Sequence, residues 1–225
     1  MSIQDILEQR GISEILHFST NQGLLGALAT KYIYSRPLLS KENYLRHVLQ
    51  LNSSERPEEC DSFDKEQDWL RYVNLSISEI NRRFLNVSRR WHNDKHVWWC
   101  ILSFDPLIMT HEGVYFATTN NSYDQCRRAQ GEQGLDNLFA ENIARKRIGA
   151  SGNPWSVRRA GRHSSLPTCE QAEILYYEKL SLDHLRTIYV EDEQHRDTVV
   201  GWLVDFGMND VNVLFQPEKF EGKPN

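Results

Sequence analysis

Two carboxylates in the stretch "CEQAEIL", Glu170 and Glu173, sit among residues that otherwise suit a half-buried β-strand. If Cys169 to Tyr177 is extended, alternation puts Cys169, Gln171, Glu173, Leu175 and Tyr177 on one face. Glu170, Ala172, Ile174 and Tyr176 then share the other. Each face carries one carboxylate among apolar neighbours, and burying an unpaired carboxylate is costly. One of the two serves chemistry, or both point at water; the pattern does not choose.

Other reactive side chains form weaker constellations. His17, in "LHFST", follows an apolar pair and reads as half-buried, either a satisfied core histidine or a ligand contact. "WHNDKH" places His92 and His96 four apart, a spacing that can hold zinc on a helix. The glutamate of H-E-x-x-H and a third ligand are both missing there, so solvated histidines and no metal are expected. Cys60, Cys100, Cys126 and Cys169 form no C-x-x-C pair, which points to reduced thiols and away from a structural zinc or a disulfide framework. The glycine patterns of dinucleotide-binding folds and P-loops are absent, as is the G-x-S-x-G of hydrolases.

Charge is distributed unevenly. The 225 residues carry a net charge of −5, yet no acid occurs from Asn142 to Pro167, where Arg145, Lys146, Arg147, Arg158, Arg159 and Arg162 lie. Arg82, Arg83, Arg89 and Arg90 form a second acid-free cluster between Glu79 and Asp94. Such segments are solvated faces paired with the acidic remainder, or they meet an anionic partner such as a phosphate backbone. Trp155, inside the longer cluster, offers a surface on which an unpaired base could stack.

These residues need elements to position them. A short helix is expected over residues 3–10, a strand over 14–20, and a helix turning into extended chain over 21–35. A helix over 41–51 precedes a polar, acidic connection over 52–68. "RYVNLSISEINRRFL" begins as a strand and turns irregular; "VWWCILSF" suits a central strand and "GVYFATT" another. A compact helix is expected over 134–143, a long basic loop over 144–167, and a helical "SLDHLRTI" capped by Ser181. Residues 216–225 read as a frayed tail. The whole is expected to be one α+β domain over 1–225, cytoplasmic, with neither signal peptide nor membrane span.

Six stretches, "ILHFST" with "GLLGAL", "YVNLSISEIN", "WWCILSFDP", "GVYFATTNN" and "CEQAEILYYEKLSLDHLRTIYV", occur in an order that resembles the DarT-type DNA ADP-ribosyltransferases. These are toxins of bacterial toxin–antitoxin pairs, and the resemblance runs from about residue 14 to about residue 190. It implies an ADP-ribosyltransferase-like fold, a central split β-sheet with surrounding helices and an NAD cleft. NAD would be consumed as a co-substrate, with ADP-ribose passing to a base of single-stranded DNA and nicotinamide leaving. A cognate antitoxin that hydrolyses ADP-ribose is the implied partner, in a bacterial cytoplasm.

By the same resemblance Glu173 corresponds to the catalytic glutamate and His17 to an NAD-contacting histidine. Ser19 stands near the threonine of that motif, Asn21 beside the pocket, and Thr118 and Asn120 border the nucleotide. Arg83, or alternatively Arg82, would meet the target base. Arg82, Arg145, Arg147, Trp155, Arg158, Arg159 and Arg162 would hold the DNA. Where the thymine-modifying branch reads His-Phe-Thr-His, this chain reads His17-Phe18-Ser19-Thr20-Asn21, and "NLSISEINRRF" replaces a Pro-Arg-Pro type segment. Both departures resemble the guanine-modifying branch. The alternatives are a thymine, RNA or protein acceptor, or a non-catalytic nucleic-acid-binding module.

Overall fold

A computed structural model describes residues 1–39, 69–92, 94–145, 153 and 155–225. The helix expected over 41–51 and the connection over 52–68 lie outside the described residues, as do Cys60, Lys146 and Arg147.

The first elements follow the residue pattern. Ser2 and Asp5 close a capping box on helix α1 (Ile3–Arg10), and Gly11 ends it at φ 67°, a conformation glycine adopts without strain. Strand β1 (Ile15–Thr20) runs straight into helix α2 (Asn21–Thr30), because the Thr20 hydroxyl accepts the Gly23 N–H and caps it. Strand β2 (Tyr32–Tyr34) and a single turn, α3 (Arg36–Leu39), complete this part.

Strand β3 (Tyr72–Ile77) is as expected, but the irregular chain expected after it is a helix, α4 (Arg82–Trp91). Asn81 caps it, with its side-chain oxygen accepting the Phe84 N–H, and fully buried Leu85 anchors it. Strand β4 (Trp99–Phe104) is buried at every position. Strands β5 (Tyr115–Ala117) and β6 (Arg128–Ala129) lead to helix α5 (Gly131–Asn137).

Three further expectations change. The helix placed over 134–143 ends at Asn137, and strand β7 (Asn142–Arg145) pairs with β8 (Trp155–Arg158), so 144–167 contains half of a hairpin. Ile143 and Val157 pack on Cys169 from it. Strand β9 (Glu173–Tyr177) is shorter than expected: residues 169–172 form a turn closed by the Ala172 N–H on the Cys169 carbonyl. After strand β10 (Lys179–Ser181), only Leu182–His184 of "SLDHLRTI" is helical, a 3₁₀ turn capped by Ser181. The β-branched residues beyond it favour strand β11 (Leu185–Val190).

Helix α6 (Glu193–Asp205) and strand β12 (Asn212–Phe215) close the fold. The tail expected to fray is tied down. Phe220 is buried, the Lys223 N–H donates to Glu79, and the Asn225 side chain bonds the Thr168 carbonyl.

Eight strands form one sheet in the order β12-β11-β4-β1-β3-β9-β5-β6, all antiparallel except β11 with β12. One face carries Ile15, Val73, Leu75, Leu102 and Ile174 against Leu24 and Leu28 of α2 and Val199 and Leu203 of α6. The other carries Leu16, Trp99, Ile101 and Tyr189 against Ile80, Leu85 and Phe220. β1 stays paired with β4 from Ile15 to Thr20, but meets β3 only at Ile15–Ile77 and Leu16–Ser76. Past Leu16 the two strands part, which is the expected split.

Candidate active site

The parting of β1 and β3 opens a cavity of about 320 Å³, within the roughly 300–1,000 Å³ typical of small-molecule sites. Its described walls come from β1, α2, β2 and α3, the turn at Trp69 and Leu70, β3, α4, Trp99 and Leu102 of β4 and the first residue of β9. His17, Ser19 and Glu173 all line it. Fold topology therefore brings together three residues spread over most of the chain.

Glu173 opens β9 and lies opposite Ala117 of β5. It is only 5% exposed, and its Oε2 accepts the backbone N–H of Asn121 at 2.7 Å. Asn121 is itself held by Arg128, whose Nε donates to Asn121 Oδ1 at 2.5 Å and whose guanidinium also bonds the Asn121 carbonyl. The guanidinium lies 4.9 Å from the centre of the Trp69 ring, which lines the cavity. A charged donor thus holds the peptide that holds the carboxylate, and charge-assisted bonds of this kind are among the stronger ones.

His17 stands in the gap itself, with Nδ1 3.0 Å from the Asn74 carbonyl of β3. A carbonyl only accepts, so Nδ1 carries the proton and Nε2 presents a lone pair. Burial holds the pKa below the ordinary histidine value, against the smaller opposing effect of the Asn74 bond. The ring is therefore neutral at pH 7. Ser19 packs at the start of α2, where a Cβ on Gly23 would overlap its hydroxyl; the glycine lets the helix approach this closely.

The other nucleotide contacts expected from sequence sit differently. Asn21 does not line the cavity. Its Nδ2 donates to the His96 carbonyl at 3.0 Å and its N–H to the Trp98 carbonyl at 2.9 Å, so it clasps the chain entering β4. The Thr118 hydroxyl accepts the Arg127 N–H, and Asn120 accepts from Ser122. Both shape the loop that aims the Asn121 N–H at Glu173, and neither lines the cavity.

Nor do Arg82 and Arg83 line it. Helix α4 turns Asn81, Phe84 and Ser88 toward the cavity, three and four residues apart, and leaves both arginines exposed. Arg83 Nε lies 2.5 Å from Glu170 Oε1. Arg145, itself buried, approaches the same oxygen at 3.8 Å. Glu170 is thus buried among arginines and is not solvated, because the turn at 169–172 draws it inward. Arg36 is the arginine among the described lining residues.

In the basic segment most arginines hold the protein together. Arg159 donates to the Leu166, His163 and Ser164 carbonyls and to the Thr168 hydroxyl. Arg162 donates to the Pro167 and Lys223 carbonyls at 2.6 Å each and pairs with buried Glu79. These side chains have backbone and carboxylate partners within the protein. Arg158 is exposed, and Trp155 is 41% exposed, edge-on to Tyr123 at 6.4 Å. Tyr123 packs with Ala117 and Leu175, beside Glu173.

His92 lines the cavity edge-on to Trp99, while α4 ends at Trp91, so His92 and His96 do not share a helical face. Among the described residues no cluster of three metal-binding side chains occurs. Cys100, Cys126 and Cys169 are free and buried, and burial pushes the Cys126 thiol up to about 11. No described helix is long and apolar enough to cross a membrane.

Sequence reasoning placed Asn121 only within the segment Thr118 to Ser122 bordering the nucleotide, and missed Arg128, Trp69, Arg36, Asn81 and Ser35. An asparagine directly before "RRFL" was a readable capping signal for Asn81. The Arg128–Asn121–Glu173 chain left none, since it depends on two loops meeting. In the cavity wall, the buried Ser35 hydroxyl and Asn81 Nδ2 have no hydrogen-bond partner among the described residues. Such orphaned donors, with the aromatic lining and a buried carboxylate, fit a polar, ring-bearing ligand such as a dinucleotide.

Comparison with known proteins places this geometry. A family model described as "ssDNA thymidine ADP-ribosyltransferase, DarT" matches residues 16–221. No curated protein matches. Among solved structures, Thermus sp. 2.9 DarT in complex with NAD+ is similar at 15% identity and TM-score 0.59, over 92% of this chain and 97% of that one. The same protein in complex with ADP-ribosylated ssDNA gives 12% identity and TM-score 0.62, over 93% and 96%. Thermosipho africanus DarTG in complex with ADP-ribose gives 12% and 0.61 over 92% of this chain, which spans about half, 51%, of that one.

Proposed function

This chain belongs to the DarT family of single-stranded-DNA ADP-ribosyltransferases, and from that premise we propose that it consumes NAD to place ADP-ribose on a guanine base. The observation that carries the reading is the convergence of His17, Ser19 and Glu173 on one cavity at the split of the sheet, with Glu173 held by the Asn121 N–H.

Breaking the nicotinamide–ribose bond builds positive charge on the sugar. The Glu173 carboxylate, fixed in a site of restricted water, stabilises that charge while its oxygens hold a ribose hydroxyl. A base nitrogen attacks the anomeric carbon as neutral nicotinamide leaves, and the displaced base proton passes to solvent. His17, neutral and pinned by Asn74, serves as a fixed hydrogen-bonding wall for NAD, with Ser19 beside it. Trp155 offers a stacking face to the strand, and Arg158, on the other face of β8, an exposed cation.

Guanine is favoured by the departures at Ser19, Thr20 and Asn21 from the thymine branch; thymine is the second reading, favoured by the description of the matching family. A toxin role, countered by an antitoxin that hydrolyses ADP-ribose in a bacterial cytoplasm, rests on the same resemblance.

Incubation with NAD and oligonucleotides lacking either G or T, read by mass, tests the reaction and the base together. Gain of ADP-ribose by the T-free strand alone is expected, and modification of the G-free strand alone would refute the guanine preference. Glu173→Gln should lower the transfer rate by about a hundredfold or more, as removal of electrostatic transition-state groups does elsewhere. Transfer at the parental rate by this variant overturns its role.

A further inference from the structure

At one end of the cavity lies a group whose chemistry the fold leaves unused. Asn81 is 3% exposed and lines the wall. Its oxygen caps α4 by accepting the Phe84 N–H at 3.0 Å. Its Nδ2, with two hydrogens to donate, has no hydrogen-bond partner among the described residues. A buried donor left unpaired costs about 1–3 kcal/mol, so native proteins rarely keep one unless something else satisfies it. Capping does not explain the choice of asparagine, since Asp caps as well and has no donor to strand.

The surroundings indicate what would satisfy it. Phe18 meets Phe84 edge-on with ring centres 5.7 Å apart, and Trp99 at 5.8 Å; both partners line the cavity with Phe18. Strand alternation and register put Phe18 on the same sheet face as Leu16, Ser76, Asn74 and Glu173. Aromatic walls with one buried donor, on the face that bears the carboxylate, suit a flat heteroaromatic ring that presents a hydrogen-bond acceptor.

We propose that Asn81, walled by Phe18, Phe84 and Trp99, forms a ring-binding subsite in which its Nδ2 donates to a ring nitrogen or carbonyl of a nucleobase-like group. This deepens the reading of the cavity as an NAD and DNA site and rests on it. The ring could come from NAD or from the acceptor strand, and the two share this chemistry.

Asn81→Asp keeps the capping oxygen and removes the donor, and Asn81→Ser keeps the capping oxygen and draws its one O–H back along a shorter side chain, so they separate the two roles. Affinities for NAD and for a single-stranded oligonucleotide would be measured by calorimetry on the full chain, beside thermal melting. Both variants should melt no lower than the parent, since the cap is kept and an unpaired buried donor is relieved. Loss of one neutral hydrogen bond should weaken one of the two ligands by about three- to tenfold. Weaker NAD binding with unchanged oligonucleotide binding assigns the ring to NAD, and the reverse assigns it to the acceptor. Unchanged affinities for both, with a parent that binds both, overturn the subsite and leave the ADP-ribosyltransferase reading standing. A parent that binds neither ligand overturns that reading and the subsite with it.

Discussion

Glu173 and Glu170 are three residues apart and equally apolar in their neighbours, yet they end in opposite electrostatic settings. One meets a backbone N–H in the wall of a cavity; the other lies among the guanidinium groups of Arg83 and Arg145. Alternation along a strand could not separate them, because the strand starts only at Glu173. At this scale the least legible residue is Arg128, which touches no cavity wall directly except through Trp69 and acts on Glu173 through Asn121. It is a positioning residue. Arg128→Ala should lower the single-turnover rate of transfer by about ten- to a hundredfold, the worth of a hydrogen bond to a charged group. NAD affinity should stay near the parental value. A purely structural role would instead lower thermal stability and leave the rate of the folded fraction unchanged.

Elements decide how the basic segment works. Its composition suggested a loop of arginines facing DNA, but β7 and β8 pair through it, and Arg159 and Arg162 turn inward to bind carbonyls and Glu79. Composition counts charges; only the hairpin and the tied-down tail show which charges have partners. Arg162→Ala leaves Glu79 buried without its cation, and breaking such a pair costs about 3–5 kcal/mol. Urea unfolding should show a lower midpoint at unchanged slope. A variant as stable as the parent, but with weakened DNA binding, would return Arg162 to the DNA contacts. Helix α4 carries the same lesson. Its arginines attracted attention in the sequence, while the residues it presents to the cavity are Asn81, Phe84 and Ser88.

Across the molecule, the exposed described arginines include Arg82, Arg83, Arg90, Arg127 and Arg158, the last on the strand that carries Trp155. Arg158→Ala should weaken oligonucleotide binding evenly across sequences and reduce the slope of log affinity against log salt by about 0.7, one phosphate contact on a single strand. An unchanged slope removes Arg158 from the interface. The amino-acid sequence by itself determined the α+β class, β1, β3, β4 and β5 and the helix over 3–10, and, through ordered family-like stretches, pointed to Glu173 and His17 as site residues. Those are local matters of periodicity and capping, or of residues kept in order along the chain. Only the tertiary structure decided that β1 and β3 part after Leu16, that Asn121 and Arg128 hold Glu173, and which arginines are already paired. Each of these is a contact between segments far apart in the chain, set by sheet register and packing, and no spacing along the sequence encodes it.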